Sequence, residues 1–193
     1  MLSKFVYLNY IGRIITNVDI EIIMKQSRNY FLVGPMGAGK TAVGRQLSRL
    51  LHHQFVDSDE EIELRTGVDI PFIFEKEGEN GFRIREEKVI EELSERQGIT
   101  LATGGGAILR EKNRIFLGSR GTVIYLYASI EKQVERTSRG KERPLLTNKN
   151  SEKVLKDLME IRDPLYRSIA DMIIDTDGRK INSVAQEIFD ALS

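Results

Sequence analysis

Residues 34–41 have the sequence GPMGAGKT, which fits the pattern G-x-x-x-x-G-K-[S/T] of loops that bind nucleotide phosphates. Glycine lets backbone N–H groups turn inward around a phosphate, and the N-terminus of a following helix adds its positive dipole. Lys40 is then expected to reach the β- and γ-phosphates, and the Thr41 hydroxyl to bind Mg²⁺. The bare pattern arises by chance in roughly one chain of this length in a hundred, so a simple glycine-rich turn is the weaker alternative.

Two carboxylates follow the next apolar segment, in the sequence Asp57-Ser58-Asp59. If a strand ends here, its two-residue alternation places both carboxylates on one side of the chain. One of them can then serve Mg²⁺, and the other an acceptor hydroxyl. A solvated turn with a helix cap explains the same residues, and without the neighbouring motifs it is the simpler interpretation.

Three successive glycines, Gly104, Gly105 and Gly106, follow a further apolar segment. Their backbone is bare enough for a ligand to approach within hydrogen-bonding distance, although a tight turn explains them equally well. Arg83, Arg143 and Arg162 each lie in a segment that can return to the same crevice. Because guanidinium groups fork onto carboxylates or phosphates, these arginines predict an acidic acceptor.

The surroundings of Arg83 suggest how its side chain is held. Glu86 follows one helical turn later and can pair with it. Phe82 precedes it directly, and Phe74, eight residues before Phe82, is a candidate apolar wall. Taken singly, each arginine is more often a surface charge, so the prediction depends on their occurring together.

The elements that must position these residues form an alternating series from Asn29 onward. Short apolar segments alternate with charged segments of helical period, which predicts an α/β domain with a parallel sheet. Strands are predicted at Tyr30–Val33, Gln54–Asp57, Ile99–Ala102, Thr122–Tyr127 and Met172–Asp175. Helices are predicted at residues 40–51, 79–96, 130–138 and 180–192. Ser58 is predicted to cap a short helix that Gly67 ends.

The composition excludes several classes of function. The chain of 193 residues has 29 Lys and Arg against 29 Asp and Glu, so no net field attracts nucleic acid or an anionic membrane. The absence of cysteine excludes disulfides, thiolate metal sites and a cysteine nucleophile. We expect a cytoplasmic monomer that acts on a small molecule.

Two segments fall outside the predicted core. Residues 1–28 form a predicted N-terminal extension, because polar residues interrupt every apolar run well before the ~20 residues that span a bilayer. Residues 29–193 are predicted to form a single domain. Within it, residues 139–151 contain too few apolar side chains to pack, so they are predicted to form a mobile lid that carries Arg143. An ordinary surface connection is the alternative.

Together, these motifs resemble those of shikimate kinase. The six that match in order and at similar spacing are GPMGAGKT, Asp57-Ser58-Asp59, Gly81-Phe82-Arg83, Gly104-Gly105-Gly106, RPLL at 143–146 and RDPLY at 162–166. The resemblance covers the chain from Asn29 onward. It implies a three-layer P-loop kinase fold with strand order 2-3-1-4-5 and helices on both faces. It also implies transfer of the γ-phosphoryl group of ATP to the 3-hydroxyl of shikimate, in aromatic amino-acid synthesis.

The resemblance assigns roles to individual residues. The nucleotide contacts fall on Gly37, Ala38, Gly39, Lys40, Thr41, Ala42, Arg136, Arg143 and Arg179. Arg136 is the residue that would stack on adenine. The acceptor contacts fall on Asp59, Phe74, Phe82, Arg83, Gly104, Gly105, Gly106 and Arg162. Thr41 and Asp57 would hold Mg²⁺, Asp57 through water, and the groups closest to the chemistry would be Lys40, Asp59 and Arg143.

Two departures and two rivals limit the resemblance. Family members usually begin within a few residues of the first strand, so the extension is unusual and Met24 is an alternative start. Ala42 stands where the family commonly has a second hydroxyl residue that reaches the α-phosphate, so we expect a modest loss of nucleotide affinity. Gluconate kinase shares the P-loop but does not require this pair of carboxylate-binding arginines. A nucleotide-dependent interaction module would leave Asp59, Gly105 and Arg162 without a role.

The predicted extension can be tested by truncation. A chain that begins at Met24 should keep its activity, because the residues before it lack a continuous apolar face to pack against the core. Thermal unfolding checks this expectation. A fall in Tm of more than ~4 °C would show that the removed residues contribute on the order of 1 kcal/mol or more to folding.

Overall fold

The computed structural model describes residues 28–138 and 151–192. Within these ranges the chain forms five strands, β1 to β5, at Tyr30–Val33, Gln54–Asp57, Ile99–Ala102, Thr122–Tyr127 and Met172–Asp175. It also forms seven α-helices, α1 to α7, at Lys40–Leu51, Ser58–Thr66, Ile70–Ser94, Glu111–Arg120, Ile130–Thr137, Ser151–Ile169 and Ile181–Ala191. A single 3₁₀ turn, Ala107–Leu109, follows β3.

The five strands form one parallel sheet in the order β2-β3-β1-β4-β5, which confirms the predicted fold. Strand β1 lies at the centre and pairs with β3 on one side and β4 on the other. All of its residues are buried, as expected where helices cover both faces of a parallel sheet.

The alternation of side chains along β1 divides the core into two layers. Phe31 and Val33 pack on one face, against apolar residues of α3 and α6, whereas Tyr30 and Leu32 pack on the other, against α1 and α7. Strands β1 and β4 contribute to both apolar layers, whereas β2 and β3 contribute to the first and β5 to the second. The carboxyl ends of the strands all open at one edge of the sheet.

The predicted helices differ from the structure at four helices. Helix α3 begins at Ile70, after an Asp69 cap, and has a break at Gly78, where φ is 70°. The sequence predicted only its second arm, because the break interrupts the helical period. The sequence also missed α4 and α6. At α2 the cap is Asp57 rather than Ser58, whereas Gly67 ends the helix as predicted.

Three further predictions concern membrane-spanning helices, the N-terminal extension and the lid. No helix in the described part of the chain is long and apolar enough to cross a membrane. The predicted extension, except Arg28, lies outside the described residues. The predicted lid also lies outside them, except Ser151, and with it Arg143. Both segments stay predictions.

Candidate active site

The phosphate-binding loop connects β1 to α1, so it opens at the carboxyl edge of the sheet. Gly39 caps α1 with a φ of 89°, a left-handed conformation that favours glycine. The Lys40 ammonium donates hydrogen bonds to the carbonyl oxygens of Gly34 and Pro35, each at 2.8 Å. These bonds curl the loop around the lysine side chain, which is the shape needed to surround a phosphate.

Thr41 and Asp57 meet at the entrance of this loop. The Thr41 hydroxyl donates to Asp57 Oδ2 at 2.8 Å, while Asp57 Oδ1 accepts from the Asp59 N–H at 3.0 Å. Proteins commonly hold Mg²⁺ with one or two carboxylates and leave its other positions to water and phosphates. A hydroxyl and a carboxylate side by side at the P-loop therefore fit this ion.

Asp57 and Asp59 reach the same cleft for a different reason from the one predicted. Strand β2 ends at Asp57, and Asp59 lies in the first turn of α2, so strand alternation does not relate their side chains. Both line a cleft of ≈ 220 Å³ together with Met36, Gly37, Gly39, Lys40, Thr41, Ala42, Thr103 and Gly105. The structure thus joins the phosphate loop to the carboxylates and to the glycine triplet.

Arg83 lies beside the glycine triplet with its charge balanced by two carboxylates. It donates to Glu86 at 2.8 Å and to Glu79 at 2.9 Å and 3.2 Å. Burial alone would lower the pKa of Arg83, but the two glutamates raise it, so the group stays a cation. A Cβ on Gly106 would lie 2.1 Å from an Arg83 guanidinium nitrogen, so the guanidinium needs glycine at that position.

Arg162, on α6, is buried without such a balance. Its side chain is 4% exposed, its Nη1 donates to the Gly105 carbonyl at 3.3 Å, and its buried Nε has no hydrogen-bond partner. In the part of the chain that the structure describes, no carboxylate forms an ion pair with it. Burial lowers its pKa, as expected for a desolvated cation. Such a group is stabilised by an anionic ligand.

Two carboxylates face the Cα of Gly104 from the neighbouring helices. A Cβ there would lie 2.6 Å from Glu86 Oε1 and 2.7 Å from Asp59 Oδ1. Burial raises the pKa of Glu86, against the opposing pull of the Arg83 cation. The pocket around the glycine triplet therefore combines two cations with oxygen acceptors and bare backbone, which suits a ligand that carries both a carboxylate and hydroxyl groups.

Comparison with known proteins identifies the family of this site. The family model described as shikimate kinase matches residues 36–193. The shikimate kinase of Alteromonas mediterranea is 56% identical over 165 residues, which are 86% of this chain and 96% of that protein. The shikimate kinase of Pseudomonas fluorescens is 57% identical over 166 residues, with coverage of 86% and 96%. The chain belongs to the shikimate kinase family.

Solved structures agree with this membership and separate it from the predicted rival. A shikimate kinase from Acinetobacter baumannii, solved in complex with shikimate, has a TM-score of 0.85 at 53% identity and covers 88% of this chain and 95% of its own. A gluconokinase from Sinorhizobium meliloti has a TM-score of 0.55 at 16% identity, with coverage of 86% and 92%. The gluconokinase therefore shares the fold alone.

The arginines predicted to contact adenine lie beyond the P-loop, near the end of β5. Arg136 donates to the carbonyl of Gly37 at 2.9 Å and to the carbonyl and hydroxyl of Thr176 at 2.7 Å and 3.0 Å. Arg179 pairs with Glu187 and donates to the Asp175 carbonyl at 3.2 Å. Arg136 makes these hydrogen bonds with N–H groups at the edge of its guanidinium, so the flat face of the group can still stack on an aromatic ring.

The predicted phenylalanines pack next to each other below Arg83. The rings of Phe74 and Phe82 are 4.9 Å apart, and Arg83 lies 5.2 Å above the Phe82 ring. Phe82 is buried in the core and Phe74 is half-buried beside it. On the nucleotide side, the Ala38 side chain is also buried in the core, so only its backbone can face a ligand.

Among the partners of Arg83, the sequence analysis did not identify Glu79. It precedes Arg83 by four positions on α3, a spacing that signals a helical ion pair. The spacing of Glu79 and Arg83 is visible in the sequence, at the first turn of the helix predicted to begin at residue 79.

The two arginines should respond in opposite ways to removal of charge. Arg162→Met should raise the free energy of unfolding by about 1–2 kcal/mol without ligand, because it replaces an unbalanced buried cation by an apolar side chain. Arg83→Met should lower it by roughly 3 kcal/mol or more, because Glu86 is left buried without its partner. Thermal or denaturant unfolding of both variants measures this difference. Equal destabilisation by the two substitutions would contradict the contrast.

Proposed function

We propose that this chain transfers the γ-phosphoryl group of ATP to the 3-hydroxyl of shikimate, and so forms shikimate 3-phosphate for chorismate and aromatic amino-acid synthesis. The observation that carries the choice of acceptor is Arg162, a buried cation with no carboxylate partner in the described ranges, beside Arg83 and the glycine triplet. Membership of the shikimate kinase family supports the same reaction.

The acceptor pocket matches the chemistry of shikimate group by group. The carboxylate of shikimate would be bound between Arg83 and Arg162, each of which can fork onto it with parallel N–H donors. Asp59 and the Gly105 backbone would hold the ring hydroxyls, while Phe74 and Phe82 provide an apolar wall. In this arrangement the carboxylate of the ligand supplies the negatively charged partner that the described residues do not provide for Arg162.

The nucleotide would lie across the P-loop, with its phosphates toward the same cleft. The backbone of Gly37, Ala38 and Gly39, with Ala42 at the start of α1, would surround the phosphates, and Lys40 would neutralise them. Thr41 and Asp57 would hold Mg²⁺, which supplies further neutralisation of the phosphate oxygens when it is bound. Arg136 and Arg179 would contact adenine.

Phosphoryl transfer requires alignment and charge neutralisation more than covalent help from the protein. Lys40 provides a fixed positive charge at the transferring group, and Arg143 would add a second from the predicted lid. Asp59 would either accept the proton of the attacking hydroxyl or orient that hydroxyl. Closure of residues 139–151 would exclude water that competes for the phosphoryl group.

We further propose that the protein acts as a monomer in the cytoplasm. All the residues assigned to the site come from one chain, so a second copy is not needed to complete it. The use of ATP and the lack of cysteine suit that compartment.

A coupled assay tests the proposed reaction. Purified protein with ATP and Mg²⁺ should consume ATP in proportion to added shikimate, because the acceptor completes the charge balance of the pocket. Phosphorus NMR should identify shikimate 3-phosphate as the product. Parallel reactions with gluconate and without acceptor serve as controls, and turnover that ignores shikimate or is faster with gluconate would refute the proposal.

Asparagine variants of Asp57 and Asp59 should differ in their response to Mg²⁺ and in their affinity for shikimate. Asp57→Asn keeps a side chain that can cap α2 but removes charge beside Thr41, so raised Mg²⁺ should partly restore its activity while shikimate affinity stays nearly normal. Asp59→Asn should not respond to Mg²⁺. It should lose roughly ten- to a hundredfold in shikimate affinity or rate, as for a lost charge-assisted hydrogen bond.

Nucleotide and shikimate affinities of both variants, measured across a Mg²⁺ titration, check this assignment. ATP binding by Asp59→Asn should survive. A metal-rescued Asp59→Asn with normal shikimate binding would reverse the roles of the two residues.

A further inference from the structure

The carbonyl oxygen of Gly105 accepts two hydrogen bonds in the pocket proposed to bind shikimate. It receives a hydrogen bond from the Tyr166 hydroxyl at 2.5 Å and a longer one from Arg162 Nη1 at 3.3 Å. Tyr166 and Arg162 are one turn apart on α6, and both are buried. The carbonyl is therefore fixed from the α6 side by two donors of unequal strength.

Fixing this carbonyl also fixes the direction of a backbone donor. The peptide bonds of the described residues are trans, so the C=O and N–H of one peptide unit point in opposite directions. Because the Gly105 carbonyl points to Tyr166, the Gly106 N–H of the same unit points away from α6. The Gly104 carbonyl likewise accepts from the Ala107 N–H at 3.1 Å, which directs the Gly105 N–H the opposite way.

These two N–H groups are available for a ligand. Neither the Gly105 nor the Gly106 N–H makes a hydrogen bond to another of the described residues. Gly105 also lines the cleft that contains Lys40 and Asp59. An unpaired pair of backbone donors at this position suits the oxygen atoms of a hydroxylated ligand.

The Tyr166 hydroxyl acts as a hydrogen-bond donor to Gly105. Burial raises the pKa of Tyr166, so its hydroxyl keeps its proton at neutral pH and can donate it in the hydrogen bond to Gly105. Its ring stacks on that of Tyr125, with centroids 4.9 Å apart and planes inclined by 27°. The hydroxyl is thereby held at one place below the Gly105 carbonyl.

Tyr166 also determines what is left for Arg162 to do. A buried carbonyl that lost the tyrosine hydroxyl would have Arg162 as its remaining donor, and the guanidinium would be drawn toward it. With Tyr166 in place, the carbonyl is already well bonded. The remaining N–H groups of Arg162 are then available to bind an anionic ligand.

We propose that Tyr166 is a positioning residue for the acceptor. Its hydroxyl orients the Gly105–Gly106 peptide so that backbone N–H groups face the acceptor hydroxyls, and it releases Arg162 to bind the acceptor carboxylate. This inference rests on the proposed function, because it takes shikimate as the acceptor. Tyr166 is not among the residues that line the cleft with Lys40 and Asp59.

The test compares two tyrosine variants that differ in which hydroxyl is removed. Tyr166→Phe keeps the ring and removes the donor to Gly105. Tyr125→Phe removes the hydroxyl of the stacked partner ring, which donates to Asp163 at 2.7 Å and has no contact with the glycine triplet. Since both lose one buried hydroxyl, their melting temperatures should fall by similar amounts, on the order of 2–4 °C.

Shikimate binding should distinguish the variants. Isothermal titration with shikimate and steady-state kinetics should show about a tenfold increase in Kd and KM for shikimate in Tyr166→Phe, as for the loss of one well-placed hydrogen bond. The KM for ATP should not change, and kcat should change less than the KM for shikimate. Tyr125→Phe should match the unsubstituted protein in all these constants.

The possible results separate this inference from the proposed function. Normal shikimate affinity in Tyr166→Phe, or an equal loss in Tyr125→Phe, would overturn the positioning role while the unsubstituted protein still turned over shikimate. Equal losses for ATP and shikimate in Tyr166→Phe would also overturn it, because they would indicate a general structural defect. Lack of shikimate-dependent turnover in the unsubstituted protein would overturn the proposed function and this inference with it.

Discussion

The register of the three strands β2, β3 and β1 is the constraint on which the site depends. Leu32 of β1 and Asp57 of β2 both pair with Ala102 of β3, so the three strands end at the same level. The ladder continues past the strands, because the Thr103 N–H donates to the Leu32 carbonyl at 3.1 Å and the Gly104 N–H to the Ser58 hydroxyl at 3.0 Å. A shift of one residue would reverse the side chains and separate the three loops.

Charge is distributed unequally over the pocket that this edge creates. Arg83 has Glu79 and Glu86 as partners, so its position is determined by the protein alone. Arg162 is buried near it with a carbonyl as its hydrogen-bond acceptor, so its charge has no carboxylate partner among the described residues. One cation is thus held in place by carboxylates, while the other is buried without one, which is an unfavourable arrangement for folding. Such a compromise is common where binding requires a group that folding does not favour.

Much of this arrangement followed from local signals in the sequence. All five strands were predicted at their observed bounds, because short apolar segments between charged helical segments leave little ambiguity. The P-loop was equally clear, since its glycines and Lys40 are adjacent in the chain. The break at Gly78 was missed, because the period resumes after it with a different phase. The sequence also could not predict that Glu86 and Asp59 lie next to Gly104, because this contact depends on how α2 and α3 pack.

The two oxygens of Asp57 have separate partners, one on the Asp59 N–H and the other on the Thr41 hydroxyl. The first bond ends β2 and starts α2, and the second reaches the P-loop across the cleft. A longer carboxylate would move its head group by one methylene and satisfy one partner at the expense of the other, and a hydroxyl has too few oxygens for both. The position therefore tolerates few amino acids for two independent reasons, so a substitution that improved the helix cap would still lose the hydrogen bond from Thr41.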